Sequence, residues 1–86
     1  MKFIIPLEGD GSRDNPFRPA FLKEAPPGIH YDLSSGVAVF DPEAAVKAIE
    51  ALKADEKTLK VLKRKIGEAE KKLKTLAKDG RVKVEE

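Results

Sequence analysis

The sequence predicts an α+β fold, with short β-strands in the N-terminal half and helices in the C-terminal half. Three observations predict it. Apolar, β-prone runs at residues 2–8 (KFIIPLE) and 29–40 (IHYDLSSGVAVF) have the length and composition of strands. A helix start is written at residues 41–43 as Asp-Pro-Glu. From Leu59 onward, apolar residues recur at the alternating spacing of a helix face.

Pro6 interrupts the first run and cannot donate to a ladder, which predicts an edge strand or a strand bent at that point. Residues 9–28 then read as a loop, bounded by GDG and APPG. The second run divides into a hairpin, Ile29–Leu33 and Val37–Phe40, around Ser34-Ser35-Gly36. Gly36 stands where a three-residue hairpin loop needs a left-handed backbone.

Asp41 is placed to cap a helix, Pro42 suits its first position, and Glu43 suits the positive end of the dipole. Ala45, Val46, Ile49 and Leu52 form its apolar stripe. Leu59, Leu62, Ile66, Ala69, Leu73 and Leu76 then follow at intervals of 3, 4, 3, 4 and 3, an a/d heptad pattern. Extended backwards, that register puts Asp55 at a core position, so a helical hairpin or a long kinked helix is expected, with Asp55 a second cap. One continuous helix over 42–78 is the alternative. Gly80 is placed as a C-terminal cap, and RVKVEE alternates like a short final strand.

With 86 residues, a single domain is expected: a β/loop arm region at 1–41, a helical region at 42–79, and a short strand or tail at 80–86. There is no cysteine for a disulfide or a thiolate metal site. MKFII is too short for the apolar region of a signal peptide, and no run approaches a membrane span. The expectation is a soluble intracellular chain, or a virion component if phage-encoded, with no membrane partner. Gln is absent, Asn and Met occur once each, and 37% of residues are charged, a composition of the hyperthermophile kind. Charge is uneven: residues 1–41 carry four basic and six acidic side chains, whereas 42–86 carry thirteen and nine.

Catalytic and metal motifs fail at identifiable positions. His30 is the sole histidine, and no cysteine accompanies it, so it reads as a strand residue. Ser34 and Ser35 lie in a turn, outside any nucleophile elbow. Asp10, Ser12 and Asp14 have the spacing of a calcium loop, but Asn15 replaces its glycine and Phe21 its final glutamate. Gly9 and Gly11 lack the third glycine and the helix of a nucleotide loop. Neither an enzyme nor a cofactor or metal is expected.

Two features leave alternatives open. The stripe through Leu59, Leu62, Ile66, Leu73 and Leu76 either packs against the chain's own strands or is completed by a partner or another copy. The basic residues Lys60, Lys63, Arg64 and Lys65, with Lys71, Lys72 and Lys74 beyond them, are either a solvated face or a nucleic-acid contact. All five aromatic residues lie within 1–40, so no base-stacking platform accompanies the charge.

Pro6, Gly9, Gly11, Asn15, Pro16, Phe17, Arg18 and Pro19 make up a proline-bearing start, a G-x-G, and an Asn-Pro-aromatic-Arg-Pro motif. This pattern resembles the N-terminus of small uncharacterised virion-associated proteins of tailed bacteriophages and prophages, and the PPGIHYDL…GVAVFD hairpin is similar in style. The resemblance covers about half the chain and carries over no functional residue. It implies a structural or assembly subunit, such as a head, neck or tail accessory protein, whose partners are other virion proteins or copies of itself. Pro16 and Pro19 independently restrict their neighbours to extended backbone, a pre-ordering that suits a fixed contact. The expected contact residues are Phe17, Arg18 and Phe21 on the loop, with the Leu59–Leu76 stripe. A nucleic-acid-binding regulator using the basic face is the alternative.

Overall fold

The computed structural model describes residues 1–86. The chain forms β1 (Lys2–Glu8), β2 (Arg18–Pro19), β3 (His30–Asp32), β4 (Val37–Phe40), α1 (Pro42–Ala51), α2 (Glu56–Lys78) and β5 (Lys83–Glu85). The strands build one antiparallel sheet in the order β2-β1-β4-β3, with β5 also paired to β1. The α+β class is as the sequence predicts.

β1 is not an edge strand. It pairs with β4 along one side and with β5 and β2, end to end, along the other. Pro6 is tolerated because of where its nitrogen falls. The Leu7 N–H donates to Gly36 on the β4 side, whereas the Pro6 carbonyl accepts from Ala20 on the opposite side, at 2.9 Å. Since the N and O of one strand residue face the same way, Pro6 directs its missing donor to the junction between β5 and β2.

Alternation along the strands gives the sheet one packed face. Phe3 and Ile5 of β1 and Ala38 and Phe40 of β4 are fully buried, together with Ala45 and Ile49 of α1, Ile66, Leu73 and Leu76 of α2, and Val82. The α2 stripe is therefore closed within the chain. Ile66, Leu73 and Leu76 sit in the core, with Leu59, Leu62 and Ala69 packed against it. Ile66, Leu73 and Leu76 are thereby taken up by the chain's own core, while Leu59 and Leu62 stay half-buried at its edge.

Two helices form, not one. Asp41 caps α1 by accepting from the Glu43 and Ala44 N–H groups, and Asp55 caps α2 by accepting from Thr58 N–H at 2.7 Å. Between them the chain extends at Leu52, which is 57% exposed and so falls outside the α1 stripe the sequence assigns it to. α2 ends in a Schellman arrangement: Arg81 N–H donates to Leu76, Gly80 N–H to Ala77, and Gly80 has φ +77°. This reversal sends Val82 into the core and lays β5 beside β1.

Candidate functional site

The loop after β1 is built by a sequence of local bonds. Asp10 and Gly11 N–H groups both donate to the Asn15 carbonyl, at 3.0 and 3.1 Å. The Asp10 carboxylate accepts from Ser12 N–H, and the Ser12 hydroxyl accepts from Asn15 N–H. The Ser12 hydroxyl and then its N–H hold the Asp10 carboxyl below its ordinary value. Gly9, at φ +97°, lies so close to Pro16 that an added Cβ would stand 2.2 Å from the Pro16 carbonyl oxygen. Only glycine fits there.

Arg18 is half exposed and is paired within the chain. Its Nε donates to Glu8 at 3.0 Å, and its Nη1 donates to Asn15 at 3.1 Å and to the Pro16 carbonyl. The side chain ties β2 to β1 and closes the loop. Pairing with Asp10 or Asp14 is not formed. The loop is anchored by Pro19 and Ala20, both buried, rather than by its aromatic residues.

Phe17 and Phe21 remain at the surface, 39% and 41% exposed. The Phe17 ring lies over Gly11, where an added Cβ would meet it at 2.5 Å. Phe21 has φ +69°, the one non-glycine residue in the chain with a left-handed backbone. That conformation costs an ordinary side chain about 1–2 kcal/mol. The Arg81 guanidinium sits over the ring, 5.8 Å from its centre. Arg81 was not legible as a site residue, because it reaches Phe21 only through the turn after α2.

The basic run does not make one patch. Consecutive helical residues point about 100° apart, and here they go separate ways. Lys63 reaches Glu50 of α1 at 3.3 Å, Lys65 reaches Glu24 of the loop at 3.1 Å, and Arg64 lies along the helix from Glu68 at 3.8 Å. Lys60 is exposed and has no carboxylate within 4.0 Å. The Lys65–Glu24 pair borders a groove of about 360 Å³ between residues 22–26 and α2, and the Lys63–Glu50 pair borders one of about 460 Å³ between α1 and α2.

His30 is exposed on β3 and makes no side-chain hydrogen bond. Ser34 and Ser35 donate their hydroxyls to Asp32 at 2.7 and 2.9 Å, which fixes the hairpin turn and lowers the Asp32 pKa, with the Ser34 bond the larger cause. No three His, Asp or Glu side chains converge as metal ligands would. No helix is long and apolar enough to cross a membrane. No family model matches the chain, and comparison with curated proteins and with solved structures likewise finds no match.

Proposed function

We propose that the chain is a non-enzymatic structural or assembly subunit that acts by binding protein, of the kind carried by tailed-phage virions as head, neck or tail accessory proteins. One observation carries the reading: a strained, ordered aromatic is displayed at the surface. Phe21 bears a left-handed backbone yet stays 41% exposed beneath Arg81. Partial burial offsets about as much as that strain costs and leaves the rest of the ring free, and aromatic and arginine anchors are the residues that dominate protein interfaces. Phe17, held against Gly11, extends the same rigid loop. A loop already ordered by its own bonds loses little entropy on docking. The partner is another virion protein or a second copy of the chain.

Light scattering and co-purification test this with a Phe21→Gly variant. Glycine accepts the left-handed backbone, so the variant keeps its melting temperature to within about 5 °C, the shift expected from roughly 1 kcal/mol in a chain this small. The association, being apolar, survives high salt in the wild type and is lost in the variant. A wild type that is strictly monomeric and retains no partner overturns the proposal, as does association unchanged in Phe21→Gly.

A further inference from the structure

The outer face of α2 carries a second heptad, in antiphase to the core stripe. Positions 57, 60, 64, 67, 71, 74 and 78 follow intervals of 3, 4, 3, 4, 3 and 4, and they hold Lys, Lys, Arg, Gly, Lys, Lys and Lys. All seven are exposed. No acidic residue occupies this register; Glu68 and Glu70 lie to either side of it. Lys57, Lys60, Lys71 and Lys78 have no carboxylate within 4.0 Å, while Arg64 and Lys74 have only long contacts, 3.8 and 3.9 Å, to those flanking glutamates.

Two local features disfavour this face in the isolated chain. Like charges three and four residues apart repel along its length. Gly67, at its centre, weakens the helix, although no neighbour requires its small size: an added Cβ would meet nothing within 4 Å. A solvated helix face of ordinary kind alternates sign and places a good helix former at such a position. Gly67 itself lines the groove between α1 and α2 with Glu43, Glu50 and Glu70, so the cations of the row lie to either side of it.

We propose that the cations of this outer row, Lys57, Lys60, Arg64, Lys71, Lys74 and Lys78, bind the phosphates of duplex nucleic acid without reading sequence. The row is about 31 Å long at 1.5 Å per residue. It spans about nine base pairs at 3.4 Å per pair. A membrane surface is the poorer fit, because interfacial helices bury an apolar face and that of α2 is consumed by the core. A single-strand site is also a poorer fit, since α2 carries no aromatic for base stacking. The set differs from the sequential run: Lys63 and Lys65 turn aside to Glu50 and Glu24.

Fluorescence anisotropy with a labelled DNA duplex of about 20 base pairs tests the proposal, the length exceeding the α2 footprint. Neutralising four to six phosphates predicts affinity falling roughly 10²- to 10³-fold between about 50 and 200 mM salt. Lys60→Glu with Lys71→Glu lowers affinity at least tenfold on the order expected for lost and reversed phosphate contacts, whereas Lys63→Gln with Lys65→Gln changes it little. Phe21→Gly binds the duplex as the wild type does, which separates this site from the protein contact. Absence of binding at low salt overturns the proposal. So does equal loss from the Lys63/Lys65 and Lys60/Lys71 pairs. Tighter binding to phosphatidylserine vesicles or to polyglutamate than to the duplex assigns the row to a membrane or an acidic protein and overturns it equally.

Discussion

Gly9 and Gly36 both hold a left-handed backbone, at φ +97° and +69°, but for different reasons. Gly36 ends the hairpin turn in open space, and a side chain there meets nothing within 4 Å. Alanine at Gly36 therefore costs backbone strain alone, about 1 kcal/mol. Gly9 lies against the Pro16 carbonyl, so alanine there adds a clash with backbone that is itself fixed by Asp10 and Gly11. Urea unfolding is expected to show Gly9→Ala losing at least twice as much stability as Gly36→Ala, on the scale of about 1 kcal/mol per strained residue. Equal losses would mean that the loop relaxes and is not the rigid platform described. The positive φ of Gly36 was legible from its place in a hairpin. The left-handed backbone at Phe21 was not, since it follows Pro19 and Ala20, which are buried beside β1 in a pairing no local pattern encodes.

At the scale of elements, what was legible was local. The Asp41 and Asp55 caps, the Ser-Ser-Gly turn and the Gly80 reversal each depend on residues within one turn of chain, and each forms. What depends on distant pairing was not legible. β1 lies between β4 and β5 because residues near opposite ends of the chain meet, Lys2 with Glu85. The two residues of β2 are too few to carry a strand signal. The basic segment misled because adjacency in sequence is not adjacency on a helix; the cationic face lies at the heptad spacing. Charge at the element ends also sets the acid response. The Thr58 hydroxyl and then its N–H lower the Asp55 pKa, as Ser34 and Ser35 lower that of Asp32, both from 3.8. These carboxylates are more acidic folded than unfolded, so their contribution is complete above the unfolded value and is lost as pH falls through the folded ones. Urea midpoints are expected to hold steady down to about pH 5 and decline below pH 4. Asp32→Asn with Asp55→Asn should flatten part of that decline, since neither side chain then titrates and asparagine caps α2 as well as aspartate, while the lowered Asp10 remains. A decline unchanged in the double variant would place the acid response elsewhere.

At the scale of the molecule, α2 has two chemically different faces. Its apolar heptad joins the sheet and α1 in one core, and its cationic heptad faces outward. The core is small for a chain of 86 residues, and Leu73, fully buried at its centre, joins the helical half to Phe3 and Phe40 of the sheet in one cluster. The sequence left open whether this stripe met its own strands or a partner, because the spacing of apolar residues is the same in both cases. In the single chain Ile66, Leu73 and Leu76 join residues of the sheet and α1 in one buried cluster, with Leu59 and Leu62 packed at its edge. Inward closure of the stripe is tested most directly by urea unfolding of the Phe21→Gly protein, which lacks the proposed outer contact, over a roughly hundredfold range of protein concentration. A core complete within one chain predicts a midpoint independent of concentration. A midpoint that rises with concentration would show the Leu59–Leu76 stripe shared between chains and would contradict this fold.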